Sequence, residues 1–504
     1  MMTYLKRGSA AALVLSCTGH GALADLAAQD VWSDWRSYLS GAGYQITASE
    51  QTAGGTLTVS NLSMALQIPE EQGTVSVLLD QLVFTENGDG TVNVTMPPKM
   101  PITFAMIEDE DEVTAVMSLT QSGAAMVVSG TPSDMTYNYT AAGIGMGLDS
   151  LTVEGDTLPP EALSVAFSMS NVISSTRMQL SDIRSYEQDM KASALTYELV
   201  FDDPESEDAG TFRGSLQKLG FEGAGTLPLT MDASDLPQML KAGFGFDGTF
   251  TYASGQGEMS GSGDGEQFAM SSASQGGTLG VAMDATHLSY DVSQQQSEIT
   301  IQTSDLPFPI AIAMQKAGFA LDMPIAKSDD EQPFSFGLTL ADFTMPEQLW
   351  GIFDPGAILP RDPATIVVDL VGKVRVLADL MDPALAENLD QPPGELNALT
   401  IKDLKVSAVG AELTGTGDFT FDNSDLESFG GMPAPAGKAR LTLVGANGLI
   451  DKLIQMGVVS DQDATGARMM MGMLAVPGDG PDTLKSDVEI NEQGHIMANG
   501  QRLK

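Results

Sequence analysis

From Tyr44 almost to the C-terminus, apolar and polar residues alternate with period two, in short runs separated by Gly, Ser, Asn and Asp. A helix cannot bury such a pattern, because its apolar stripe recurs every three to four residues; a strand with one covered face can. Thr56–Leu62 and Gly73–Leu79 alternate in this way. Leu82–Thr85, the segment Glu86-Asn87-Gly88-Asp89-Gly90 and Thr91–Thr95 predict a hairpin, since Asn-Gly and Asp-Gly supply the positive φ that tight turns need. Further short strands are predicted at Met135–Thr140, Leu148–Val153, Leu163–Met169, Ala194–Phe201 and Gly210–Leu216, and the pattern persists to Leu484–Asn491. Turn signals come about every 8–12 residues. The expected fold is mainly β: long, curved antiparallel sheets in a meander, open as a groove, with a few capping helices.

Few segments read as helical. Val31, Trp35 and Leu39 recur at helical spacing before Gly41. Ser234–Lys241 predicts a short helix capped by Ser234, and residues 345–353 another with a proline in its first turn. Leu377–Leu389 reads as a broken helix. Residues 447–455, capped by Asn447, and 461–476, opening at Ser460, complete the set. Two β-rich regions are expected, 25–235 and 236–504, behind a signal segment at 1–24.

That signal segment rests on Lys6 and Arg7, the apolar stretch Ser9–Ser16 and the small-x-small site Ala22-Leu23-Ala24 before Asp25. It predicts export, to the periplasm. The single cysteine, Cys17, lies inside it. Either it leaves with the signal, or Val14-Leu15-Ser16-Cys17 acts as a lipobox and Cys17 carries a lipid anchor. Under both readings the mature chain has no disulfide and no thiol nucleophile. No later apolar run is long enough to span a membrane. The net charge is −43, and −45 once Lys6 and Arg7 are gone. Such a surface repels phosphate backbones and anionic headgroups, which excludes nucleic acid as a partner and electrostatic docking to a membrane.

Chemistry-bearing motifs are sparse. His287 and His495 stand alone among strand residues, with no clustered ligand set for zinc and no nucleophile elbow for a serine triad. The acidic runs at 108–112 and 202–208, and Asp422-Asn423-Ser424-Asp425, lack the spacing of a calcium loop. The Gly-rich stretch 261–265 has no following Lys-Ser/Thr or helix to make a phosphate loop. No catalytic, cofactor or metal residue is assigned. The 29 methionines are unusual. Met106, Met117, Met126, Met146, Met270 and Met283 occupy apolar strand positions, and Met469-Met470-Met471 with Met473 form a run. Methionine fills irregular cores and also lines adaptable apolar grooves; both readings stand at this point.

Several segments resemble a family of exported Gram-negative proteins that share the domain of unknown function 2125. They are Phe353-Asp354-Pro355 with Leu359-Pro360-Arg361-Asp362-Pro363, Pro393-Gly394-Glu395-Leu396-Asn397, the stretch from Gly415 to Asn423, and Asn491-Glu492-Gln493-Gly494-His495 with Asn499-Gly500-Gln501-Arg502-Leu503. Asp30-Val31-Trp32 fits the same family less specifically. The C-terminal strand–helix–helix–strand order is more distantly similar to AsmA-like envelope proteins, which implies an elongated β-structure with a lipid-accommodating groove. Neither likeness supplies site residues. The expected function is a non-enzymatic binding or scaffold protein of the cell envelope, holding lipid or another amphipathic ligand or docking another envelope protein. The alternatives are a hydrolase of an envelope polymer working through a carboxylate pair, and a structural β-protein of the cell surface.

Overall fold

The computed structural model describes residues 25–503 except 69–72, 109–110, 204–205, 233, 264, 383–384 and 386–391. The signal segment, Cys17 and His20 lie outside the described residues. Helix α1 (Ala28–Gly41) opens the described chain. It is followed by β1 (Gln45–Ala53), β2 (Thr56–Ile68), β3 (Gly73–Glu86), β4 (Val92–Thr95), β5 (Lys99–Glu108), β6 (Asp111–Ser122), β7 (Ala125–Thr131), β8 (Asp134–Val153) and β9 (Asp156–Thr157). The central run is β10 (Leu163–Leu180), β11 (Arg184–Asp202), β12 (Ala209–Leu227), α2 (Leu236–Lys241), β13 (Gly245–Tyr252), β14 (Ser254–Gly263), β15 (Glu266–Ser274), β16 (Gly277–Met283), β17 (His287–Thr303) and β18 (Ile310–Pro324). The remainder is β19 (Gln332–Phe343), α3 (Glu347–Phe353), β20 (Ala364–Val376), β21 (Gly394–Ala408), β22 (Ala411–Asp422), β23 (Ala434–Val444), α4 (Ala446–Gln455), α5 (Asp461–Leu474), β24 (Val476–Pro477), β25 (Thr483–Ile490), β26 (Ile496–Ala498) and β27 (Gln501–Arg502).

The expected antiparallel meander is what forms, as one sheet of 27 strands among the described residues. Its spine pairs each rung with the next: β1–β2–β3–β5–β6–β8–β10–β11–β12–β14–β15–β17. From there it runs β17–β18–β19–β20–β21–β22–β23–β25. Four rungs are built in two pieces: β4 extends β5, β7 extends β6, β13 extends β14 and β16 extends β15. The sheet continues through the α2 region, because β12 pairs with both β13 and β14.

Many rungs are twice as long as the sequence suggests. Met135–Thr140 and Leu148–Val153 belong to the single strand β8. The cause is a crease that crosses the sheet. Asn61, Asn171, Lys218, Gln296 and Asp342 adopt left-handed backbone in mid-strand, with φ of 51°, 51°, 53°, 45° and 54°. The register places Asn171 and Lys218 on either side of Ser193, and Gln296 and Asp342 on either side of Gln315. Two of the four two-piece rungs, β6/β7 and β15/β16, break on the same line at Gly123 and Gly276, both with positive φ. At the crease the alternation inverts. Val165, Phe167 and Met169 share a face with Val172, not with residue 171. Met169, Leu195 and Leu216 from one side pack with Met190 and Phe250 from the other around Val172, Ala192 and Leu219.

A left-handed non-glycine residue costs roughly 1–2 kcal/mol, so the surrounding ladder holds each of these in place. Lys218→Val is expected to lower stability by about 1–2 kcal/mol although Lys218 is exposed, because a β-branched side chain is least compatible with positive φ. Lys218→Gly should change it by under about 0.5 kcal/mol, strain relief offsetting glycine's entropy. Urea unfolding of the two variants checks this; equal effects would show that the backbone angle is not what constrains the site.

The tightly packed core lies at one end. Helix α1 presses Val31 and Trp32 onto Leu57, Val59, Leu62, Leu82, Phe84, Val92, Val94 and Val128. Trp35 meets Phe84 edge-on at 5.5 Å between ring centroids, and Trp32 Nε1 donates to Glu50 Oε1 at 2.7 Å. Away from this end burial falls off. The chain's accessible surface is 29540 Å², against about 17,700 Å² for a compact monomer of this size.

The helices land near their expected positions, with two corrections at their starts. Asp235, not Ser234, caps α2, its Oδ1 accepting from Gln238 N at 2.9 Å. Ser234 Oγ instead donates to Asp232. Asn447 does not cap α4: Gly445 takes the cap position in left-handed backbone, and Asp482 accepts from the N–H groups of Asn447 and Gly448. Ser460 caps α5 as expected, accepting from Asp463 N. Of the expected broken helix 377–389, residues 383–384 and 386–389 lie outside the described residues; residues 377–382 form an irregular segment with a turn at 380–381, and Leu385 is in 3-10 conformation.

Candidate binding face

Because side chains alternate, the register sorts every rung into two rows, and one face of the sheet carries long apolar lines that cross many rungs. Met190, Phe221, Phe250, Leu279, Val292, Phe319, Leu338, Val368 and Leu404 stand directly opposite one another on nine successive rungs. Gly415 and Leu441 continue the line. At about 4.8 Å per strand the nine positions span about 38 Å. Beyond the crease a second line, Val165, Leu199, Phe212, Met259, Met270, Ile301 and Ile310, crosses seven rungs without a polar residue. All six strand methionines singled out in the sequence, Met106, Met117, Met126, Met146, Met270 and Met283, fall on this same face.

Near the N-terminus α1 covers the face. Further along, its side chains stay partly open to solvent: Leu279 and Tyr290 are each 36% exposed and Phe212 45%. Leu199, Phe201, Ile366 and Val406 are exposed too. Covalent neighbours cannot shield them further, since their rungs already pair on both sides. Scattered exposed apolar residues need no explanation, but an ordered line of them does.

The opposite face is mostly polar, with Leu78, Ile107 and Ile173 exposed on it. Over β10–β17 the sheet's curvature shapes a shallow trough of about 770 Å³, bordered by Glu198, Arg213, Glu258 and Glu298. Arg213 is already engaged by Glu258 at 2.7 Å. Small side chains such as Ala166, Ser215 and Ala273 make up much of the trough, which is wide and open.

Between the two apolar lines lies a different patch. Tyr252, Ser274, Gln294 and Ser297 face the apolar side around the crease. Tyr252 Oη sits 3.2 Å from Ser274 Oγ and accepts from Gln294 Nε2 at 3.3 Å. Ser274 and Ser297 are only 6% and 4% exposed. Ser297 Oγ has no hydrogen-bond partner. Sequence patterning missed this patch because its members come from three strands, β13, β15 and β17, and only their register unites them.

At the N-terminal end an ion pair ties α1 to the sheet. Arg184 Nη2 lies 2.7 Å from Asp34 Oδ1, with both side chains buried. Tyr137 Oη donates to Asp34 Oδ2 at 3.1 Å, and the Arg184 guanidinium stacks over Tyr38. Burial, then the Asp34 carboxylate, hold the Tyr137 phenol well above its ordinary range.

The residues weighed for chemistry fall in turns. Asp284 accepts from the backbone of Thr286 and His287, which places His287 at a strand entry. His495 N donates to Asn491 Oδ1 in the last turn. Asp422 and Asp425 accept from Ser424 and Ser428 nearby. In the acidic runs, 109–110 and 204–205 lie outside the described residues. Among the described residues no three His, Cys, Asp or Glu side chains gather as a metal site, and no helix is long and apolar enough to cross a membrane. Asp354, fully buried, accepts from Ile358 N, Leu359 N and Arg361 Nη1, while Arg361 covers the Trp350 ring at 4.4 Å. The segment Phe353–Arg361 is therefore a folded corner between α3 and β20.

This architecture defines a class: a single-sheet β-protein that keeps one face apolar and only partly covered. Residues 245–494 match the model of the family described as an uncharacterized protein conserved in bacteria (DUF2125). That match begins at β13 and contains the apolar line from Phe250 to Leu441. No curated protein and no solved structure matches the chain.

Proposed function

We propose that the protein is an exported, non-enzymatic binding protein of the cell envelope, which lays the hydrocarbon part of a lipid or another acyl amphiphile along its apolar sheet face. The observation that carries this reading is the unbroken line of nine apolar side chains from Met190 to Leu404. Its length of about 38 Å exceeds the ~30 Å thickness of a bilayer's hydrocarbon core. Hydrocarbon seated there removes apolar area from water at about 25 cal/mol per Å², so covering a few hundred Å² yields several kcal/mol. The partly exposed methionines suit ligands of varied shape. Lys6, Arg7 and the Ala22–Ala24 site support export, and the net charge of −43 keeps a chain with so much open apolar surface soluble.

The test is titration with a neutral naphthylamine fluorophore that brightens in apolar surroundings, followed by displacement with long-chain acyl amphiphiles. Saturable brightening that the amphiphiles reverse supports the reading. An absence of brightening overturns it.

A further inference from the structure

We propose that the polar patch at the crease seats the uncharged, oxygen-bearing linker of an acyl amphiphile, the ester and hydroxyl region of an acylated polyol. This rests on the binding reading above and names the chemistry that the site selects.

The floor of the patch is made of small residues. Gly257 lies opposite Ser272, and Gly255 opposite Ser274. The Tyr197 ring fills the space a Cβ on Gly214 would need, and the Tyr252 ring does the same over Gly277. Two tyrosines thus lie flat at the borders of a low, polar floor. On one side runs the apolar line through Leu199, Phe212 and Ile301; on the other runs the line through Phe250, Leu279 and Val292. Rows two residues apart are about 6.6 Å apart along a strand. A linker group seated here has hydrocarbon tracks within reach in both directions.

Ser297 is the observation that points to a ligand. Its Oγ is buried, it shares the face of Ile299 and Ile301, and it has no partner. Buried hydroxyls are nearly always paired, and leaving one unpaired is costly. An ester carbonyl or hydroxyl oxygen would accept a hydrogen bond from it. Tyr252 and Ser274, already held by each other and by Gln294, add further hydroxyls in fixed positions. The charged residues Arg213, Glu258 and Glu298, on these same rungs, project from the other face, in the trough described above. A carboxylate or phosphate would find no cation there, whereas a neutral oxygen-rich group finds donors and acceptors.

Three probes of equal chain length separate the possibilities: 1-monolauroylglycerol, laurate and dodecane, each displacing the fluorophore from the full chain. The glyceride is expected to bind about tenfold tighter than dodecane, as two net hydrogen bonds allow, and tighter than laurate. In Ser297→Ala and Tyr252→Phe the glyceride-to-dodecane ratio should fall toward parity. Ser297→Ala should also keep or raise the thermal midpoint, since it removes an unpaired buried donor. Equal displacement by glyceride and dodecane in the unmodified protein overturns the patch assignment and leaves the binding face standing. So does a variant that weakens all three probes in parallel, which marks a structural role. Failure of all three probes to displace overturns the binding reading itself.

Discussion

Arg184→Ala is expected to lower the unfolding free energy by about 3–5 kcal/mol, the usual cost of stranding one member of a buried ion pair. Arg184 and Asp34 are 3% and 8% exposed at the side chain and 2.7 Å apart. Without the guanidinium, Asp34 keeps the Tyr137 hydroxyl as partner and sits as an uncompensated charge beneath α1. The effect should reach beyond the pair, because α1 brings Trp32 and Val31 into the one densely packed part of the sheet. Trp32 and Trp35 lie in that core, so their fluorescence during urea unfolding reports on it directly. Arg177→Ala is the control. Arg177 pairs with Asp134 at 2.7 Å, but both are about two-fifths exposed or more, and such a pair contributes under about 1 kcal/mol. Equal costs for the two variants would show that α1 is not clamped as described.

The second large effect concerns ligand rather than stability. Leu279→Glu is expected to weaken binding of long-chain acyl amphiphiles by about 100-fold or more, roughly 2.7 kcal/mol. Leu279 stands between Phe250 and Val292 in the apolar line, so a carboxylate there must be stripped of water when hydrocarbon covers it. Because Leu279 is 36% exposed in the free protein, the fold should tolerate the change far better than the ligand does. Ser260→Glu, on the polar face and exposed, should leave affinity as it was. Similar losses from both substitutions would point to bulk charge instead of a specific track.

The sequence made the β character, the hairpin around Asn87–Gly90, helix α1 and the Ser460 cap readable, because each depends on residues close together in the chain. Strand length was not readable. Period two is interrupted wherever the crease inverts the alternation, so Val165-x-Phe167-x-Met169 and Val172 read as separate runs although both belong to β10. Asn61 and Asn171 hint at left-handed backbone, since asparagine tolerates it; Lys218 and Gln296 carry no such hint. The Asp34–Arg184 pair joins residues 150 positions apart, and the caps supplied by Asp235 and Asp482 were decided by local competition and by tertiary contact respectively. The apolar line and the polar patch needed the register of many strands at once. Their methionines and glycines were visible in the sequence, but not the fact that they share a face.

Native mass spectrometry of the protein, purified without detergent from its own cells and compared with a denatured sample, tests the central claim most directly. The account expects additional mass that disappears on denaturation and resolves into acyl-chain molecules, and expects that mass to be lost in Leu279→Glu. A protein recovered only at the mass of its bare polypeptide, with its apolar face able to take up no amphiphile when offered one, would contradict it.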